Sequence, residues 1–156
     1  MAYRLIFGFV ALLLSLPVQA DITGKPRVID GDTIEIAGER IRLHGIDAPE
    51  SKQTCIDKDG KEWRCGQEAT LALSTIIGEH TITCRGDERG KYGRLIAVCN
   101  VGLLKINAMM VARGWALAYR RYSDEYVLEE DDARLHKRGL WRGEFVPPWE
   151  WRRGKR

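Results

Sequence analysis

An α+β chain that is mainly β, folded as a five-stranded OB-fold barrel with three helices, is predicted by two observations: short runs that alternate apolar and polar residues, and their order of three strands, a helix, two strands and two further helices. Length agrees, because 156 residues suit one hydrophobic core. Residues 1–20 stand apart from it. Met1–Arg4 is a positive start, Leu5–Leu16 is almost wholly apolar, and Val18-Gln19-Ala20 offers the small residues a signal peptidase prefers. The apolar stretch falls short of the about 20 residues of a membrane span. Cleavage after Ala20 is expected, with an uncleaved membrane anchor as the alternative, leaving 21–156 as a single domain with its core over about 24–142 and a Trp- and Arg-rich tail at 143–156.

The first two strands lie in residues 28–50, VIDGDTIEIAGERIRLHGIDAPE. Thr33–Ala37 and Arg40–Ile46 alternate, and Gly38-Glu39 between them suits a two-residue type II′ turn. Counting outward pairs Ile36 with Ile41, Ile34 with Leu43 and, at the open end, Asp30 with Asp47. A bulge would shift this register. The coarser expectation is that residues 30–32 and 45–47 become neighbours, crowding carboxylates that repel unless a cation or guanidinium joins them.

Gln67–Ile77 has Ala69, Ala72, Leu73, Ile76 and Ile77 at helical spacing, with Gly78 as its stop. His80–Cys84 and Leu95–Cys99 read as strands around a glycine-rich, mobile turn, Arg85–Arg94. Leu104–Arg113 is a second helix ending at Gly114, and Trp115–Tyr119 a short strand. Ser123 is an N-cap candidate for a third helix from Asp124 to about Arg138, acidic at its start and basic at its end, with Gly139 as terminator. Pro147-Pro148-Trp149-Glu150-Trp151 reads as a tail whose first half is not helical.

Export makes four cysteines look structural, and they allow three connectivities. Cys55 and Cys65 flank a polar loop, whereas Cys84 and Cys99 end the two central strands, which favours Cys55–Cys65 and Cys84–Cys99. A zinc site is disfavoured by the lack of a Cys-x-x-Cys pair. Net charge is +3, and +2 without Arg4, the one charged residue of the leader. That excess is too small to indicate nucleic acid by itself. Its distribution says more: Arg152, Arg153, Lys155 and Arg156 form a terminal cluster, and Arg120-Arg121 sits between Tyr119 and Tyr122, an interleaving that suits backbone contact and base stacking.

Asp30, Asp32 and Asp47 are hard oxygen donors suited to Ca²⁺ or Mg²⁺, and the Ala48 carbonyl, held extended by Pro49, could join them. Asp-Gly-Asp-Thr alone is ordinary turn chemistry. Glu50 lies where a base could take a proton from water, and Arg42 and Arg94 could grip a phosphate bidentately, with Lys91 and Tyr92 beside them. Singly, each is more often a surface residue. Together they describe phosphoryl transfer.

Val28–Thr33, Arg42–Glu50 (RLHGIDAPE), Lys91-Tyr-Gly-Arg94, Arg113-Gly-Trp-Ala116 and Gly139-Leu-Trp141 resemble, in order and spacing, the staphylococcal nuclease (thermonuclease) family over nearly all of 28–141. The resemblance implies an OB-fold and a Ca²⁺-dependent nuclease of DNA and RNA that leaves 3′-phosphate ends. By position, Asp32, Asp47 and the Ala48 carbonyl match metal ligands, and Asp30 an acid at the edge of that site. Glu50 matches the general base, Arg42 and Arg94 the phosphate-binding arginines, and Tyr92 and Tyr119 the nucleotide pocket. Two positions depart from the pattern: Ala48 stands where the family has threonine, and Gly90 where an acid precedes the arginine loop. The 55–65 loop is similar to that of disulfide-bearing secreted relatives.

The expected protein is thus a secreted or periplasmic monomer, free of the membrane and of stable protein partners, acting on DNA and RNA. A silent OB-fold nucleic-acid-binding module is the alternative, and a calcium-stabilised envelope or adhesion domain a third reading. Salt-sensitive binding without cleavage would mark the silent module.

Overall fold

The computed structural model describes residues 21–156; the expected signal peptide, 1–20, lies outside the described residues. Strands β1 (Ile22–Gly24), β2 (Arg27–Val28), β3 (Thr33–Ile36), β4 (Glu39–Leu43) and β5 (Ile46–Asp47) come first, then a small ribbon of β6 (Cys55–Ile56) and β7 (Glu62–Trp63). Helix α1 (Cys65–Ile77) leads to β8 (Ile82–Arg89), β9 (Leu95–Val101) and β10 (Leu104–Lys105). Helix α2 (Ile106–Ala112), β11 (Leu117–Ala118), α3 (Val127–Leu135) and α4 (Pro148–Trp151) complete the chain.

The main sheet runs β1-β8-β9-β4-β3-β2, with β10 on β9 and the β4–β9 pair parallel. It curls until β1 meets β3: a Cβ at Gly24 would stand 2.6 Å from Ile36 Cγ2. Ile34, Ile36, Ile41, Leu43, Ile82 and Ala97 fill the interior, and Leu73, Ile106 and Met110 close it from the helices. This is the OB-fold the element order predicts. Buried Asn107 locks the parallel pair, since its Nδ2 donates to the His44 and Ala97 carbonyls (2.9 and 3.2 Å) and its Oδ1 accepts from the Cys99 amide (3.0 Å).

The hairpin corrects the expected register. Its turn is Ala37-Gly38, both at positive φ (50° and 84°) as a type I′ turn requires, so Ile34 faces Ile41 and Ile36 faces Glu39. A two-residue shift leaves every side chain on its expected face. It also frees Glu39 to pair with Arg89 of β8. Asp30 does not face Asp47, which pairs with Leu117 instead.

Other boundaries move for local reasons. The segment expected to be a mobile turn is strand as far as Arg89, with an irregularity between Arg85 and Glu88, and only Gly90–Arg94 turns. Leu104-Lys105 extends the sheet before α2 starts. The strand expected at Trp115–Tyr119 shortens to Leu117–Ala118. Ser123 Oγ accepts the Glu125 amide at 3.1 Å and so bends the chain without capping; α3 begins only after buried Tyr126 and ends before Lys137, which has φ 52°. Gly139 instead opens a 3-10 turn and passes Gly114 so closely that a Cβ would lie 2.4 Å from the Gly114 oxygen. The tail is not extended. Pro148 opens α4, a fourth helix, because proline's missing N–H and fixed φ suit a first helical position.

Two disulfides are present. Cys84–Cys99 joins directly opposed residues of β8 and β9, and Cys55–Cys65 ties β6 to the start of α1. The second lies in a smaller apolar cluster, with Leu117 and Leu140, against Trp63, Trp141, Phe145 and Trp149.

Candidate active site

β3 and β4 set the acid and the arginine opposite each other, because Thr33 pairs with Arg42 and the Leu43 amide donates to the Asp32 carbonyl at 2.8 Å. Arg42 then forks. Its Nη1 donates to Asp32 Oδ1, and its Nη2 donates to Asp47 Oδ1 at 2.7 Å. Asp32 is held further by the Ala48 amide (Oδ2, 2.8 Å) and the Thr33 hydroxyl (Oδ1, 3.1 Å). Asp30 accepts the Asp32 amide at 3.0 Å, orienting the turn.

Both central acids are nearly inaccessible, Asp32 at 2% and Asp47 at 0% exposure. Burial pushes the Asp32 carboxyl up to about 7, with Arg42 opposing the shift and Asp30 and Asp47 adding to it. For Arg42, burial works against the charge, but Asp32 and Asp47 outweigh it and raise the pKa.

Arg152, from the end of α4, was read from sequence only as part of a basic tail. Its guanidinium donates to both oxygens of Asp47 (3.1 and 2.8 Å) and to Glu50 Oε1 (2.6 Å). Burial disfavours its charge, yet these bonds hold its pKa above the ordinary arginine value. Gln53, also missed, is buried and works beneath: its Oε1 accepts the Glu50 amide at 3.2 Å and its Nε2 donates to the Val146 carbonyl at 2.6 Å. Neither role is announced by spacing: Arg152 reaches Asp47, 105 positions away, and Gln53, besides the nearby Glu50 amide, reaches Val146, 93 positions away.

Asp30, Asp32, Arg42, Ala48, Glu50, Lys91, Tyr92, Arg94 and Tyr119 line one cleft of about 870 Å³, with Asp47 buried beside Arg42. Arg94 reaches it with only long contacts, to Thr33 Oγ1 and the Lys91 carbonyl, each 3.4 Å. Among the described residues no carboxylate pairs with it, so its guanidinium can meet an incoming anion. Lys91 and Tyr92 stand exposed at the rim, the ammonium 4.8 Å from the ring centre. Tyr119 stacks on Trp149 at 5.5 Å. Among the described residues, no group of three or more His, Cys, Asp or Glu is gathered so as to hold a metal ion. The hard oxygen donors at the cleft are Asp32, which lines it, and Asp47, buried behind it with its oxygens held by Arg42 and Arg152, a chemistry that suits Ca²⁺ or Mg²⁺ once those guanidiniums make way.

Comparison with known proteins places the chain. The profile of the staphylococcal nuclease homologue family matches residues 40–143. The succinoglycan biosynthesis protein ExoI of Rhizobium meliloti (strain 1021) is 37% identical over 79% of this chain, which spans 66% of that protein's length. An uncharacterized endonuclease of Escherichia coli O157:H7 is 38% identical over 94% of this chain and 95% of its own. A micrococcal nuclease of Shigella flexneri is 33% identical over 99% of this chain and 94% of its own. With the carboxylate-arginine cleft of an OB-fold already assembled, these matches establish that the chain belongs to the family of staphylococcal nuclease homologues.

Proposed function

We propose that the carboxylate cleft is the active site of a Ca²⁺-dependent endonuclease that hydrolyses phosphodiester bonds of DNA and RNA to 3′-phosphate ends. Membership of the family makes the chain a nuclease-type hydrolase, and its relatives include an endonuclease and a micrococcal nuclease. The observation that carries the finer reading is that Asp32, Arg42 and Glu50, all from residues 28–50, line one cleft with Arg94 from the turn between β8 and β9.

Asp32, Asp47 and the Ala48 carbonyl would hold the cation. Such an ion, when bound, polarises phosphate oxygen. The rest belongs to this chain's own residues. Arg94 grips the phosphate and stabilises the charge that grows on it, and Arg42, held on Asp32 and Asp47, presents its remaining donor face to the same group. Glu50 takes a proton from the attacking water as the new P–O bond forms. The P–O5′ bond breaks, and the leaving oxygen takes a proton from solvent, giving a 5′-hydroxyl and a 3′-phosphate. Arg152 anchors Glu50 through Oε1, which leaves Oε2 to accept the proton. Lys91, Tyr92 and Tyr119 contact the nucleotide.

The paired cysteines support a secreted or periplasmic protein. Among the described residues, no helix is long and apolar enough to cross a membrane. The test is cleavage of single-stranded DNA with and without calcium chelation, followed by end analysis. Chelation is expected to abolish cleavage, and restored Ca²⁺ to return it with 3′-phosphate products. Turnover indifferent to chelation would remove the metal from the reading.

A further inference from the structure

The Arg120-Arg121 tract and the terminal basic cluster are distant in sequence, and the fold brings members of both to one place. Arg121 and Arg153 line a second cleft, of about 970 Å³, together with Arg134, Trp141 and Phe145. Tyr119 and Trp149 also line it, with planes 5° apart. Four arginines, Arg120, Arg121, Arg134 and Arg153, line it against two carboxylates, Glu130 and Glu144, so positive charge is left over. Glu130 is taken by Arg120 and by the Ala118 amide, and Arg134 pairs with Asp131 at 3.0 Å. Among the described residues no ion pair engages Arg121 or Arg153, and both are exposed. Tyr119 lines both clefts, and Arg152, which lines the first, is followed directly by Arg153, which lines the second.

We infer that this second cleft binds the single-stranded flank of the nucleic acid being cut, with Arg121 and Arg153 on its phosphates and the aromatic residues against its bases. The inference rests on the nuclease reading of the first cleft. Unpaired guanidiniums beside stacked aromatic residues are the combination that follows a single-stranded backbone while tolerating any base. A compact anion would use the charge and leave the aromatic residues idle. Continuity through Tyr119 makes the occupant the substrate already in the site, extended beyond the cut.

The test uses the double variant R121A/R153A and oligothymidylates of about 3 and about 12 nucleotides, which bracket the reach of a single-strand groove. Both arginines are solvent-exposed, so an unchanged melting temperature is the control. KM for the long oligomer is expected to rise about tenfold with kcat unchanged, while the short one is cut as before. In anisotropy titrations, each lost phosphate contact on a single strand lowers the salt slope by about 0.7, so the variant is expected to flatten it by about 1.4. An unchanged KM for the long oligomer, or equal losses on both lengths, would overturn the inference while leaving the nuclease reading standing. If the wild type cuts neither but binds the long oligomer with that slope difference, the cleft stands and the nuclease reading falls. Polyglutamate bound as tightly as the long oligomer would assign the cleft to acidic protein and overturn the inference.

Discussion

The barrel and the layer packed beside it each have a disulfide and an apolar cluster, and each supplies part of the active cleft. The barrel closes over long spans too, β1 on β8 and β4 on β9, but its share of the cleft is short in sequence: Asp32, Arg42 and Asp47 come from a single hairpin and the strand after it. The second layer gathers Cys55, Cys65, Leu117 and Leu140 under Trp63, Trp141, Phe145 and Trp149, and depends on long closures such as Gln53 to Val146. The barrel therefore owns the buried acids, while the layer holds Glu50 and supplies Arg152. One half of the cleft stands on the main core, and the other depends on the docking of the chain's last segment.

That division can be broken at several points. The largest effect is expected from Glu50→Gln, which should lower kcat by about 10²–10⁴-fold, the usual weight of a general base, with binding of an uncleavable oligonucleotide retained. Equal losses of kcat and binding would make Glu50 a structural residue. Arg94→Ala should cost about 10²–10³-fold in kcat, as loss of a transition-state donor does, with metal affinity by calorimetry unchanged. Wild-type turnover there would leave the hairpin acids and Arg42 as the whole machinery.

The disulfides come next. Removing Cys84–Cys99 by paired alanines should cost about 3 kcal/mol of stability in urea titration while sparing kcat of the folded fraction. Removing Cys55–Cys65 should lower kcat, because it loosens the layer beneath Glu50. Identical behaviour of the two variants would erase the contrast. The smallest effect is expected from Gln53→Ala, which leaves buried groups unpartnered at about 1–3 kcal/mol and should reduce kcat before it reduces melting temperature.

Legibility in the sequence follows the same line. Period-two runs and the glycines after α1 and α2 marked most of the barrel's elements, because side-chain alternation and helix stops are local events. The hairpin turn falls one residue earlier than expected, since Gly38 fits either a type II′ or a type I′ turn, and what separates them is the positive φ of Ala37. Asp32, Arg42 and Asp47 were legible because one segment carries all three. Arg152 and Gln53 are not, because Arg152 meets Asp47 and Gln53 meets Val146 only across the length of the chain, and no spacing announces those contacts. Pro148 read as a helix breaker although it begins a helix, its effect depending on whether it stands first or inside.

Asn107 is a single point on which the parallel pair depends. Its amide nitrogen is the donor that two strand carbonyls require, so an Asn107→Asp exchange would turn that donor into a carboxylate facing the oxygens of His44 and Ala97. The strands bound there are β4 and β9, which position Arg42 and, just ahead of Leu95, Arg94. That one exchange in the barrel's interior is expected to loosen β4 from β9 and so shift Arg42 against Arg94, lowering turnover with both disulfides and every residue of the cleft unchanged.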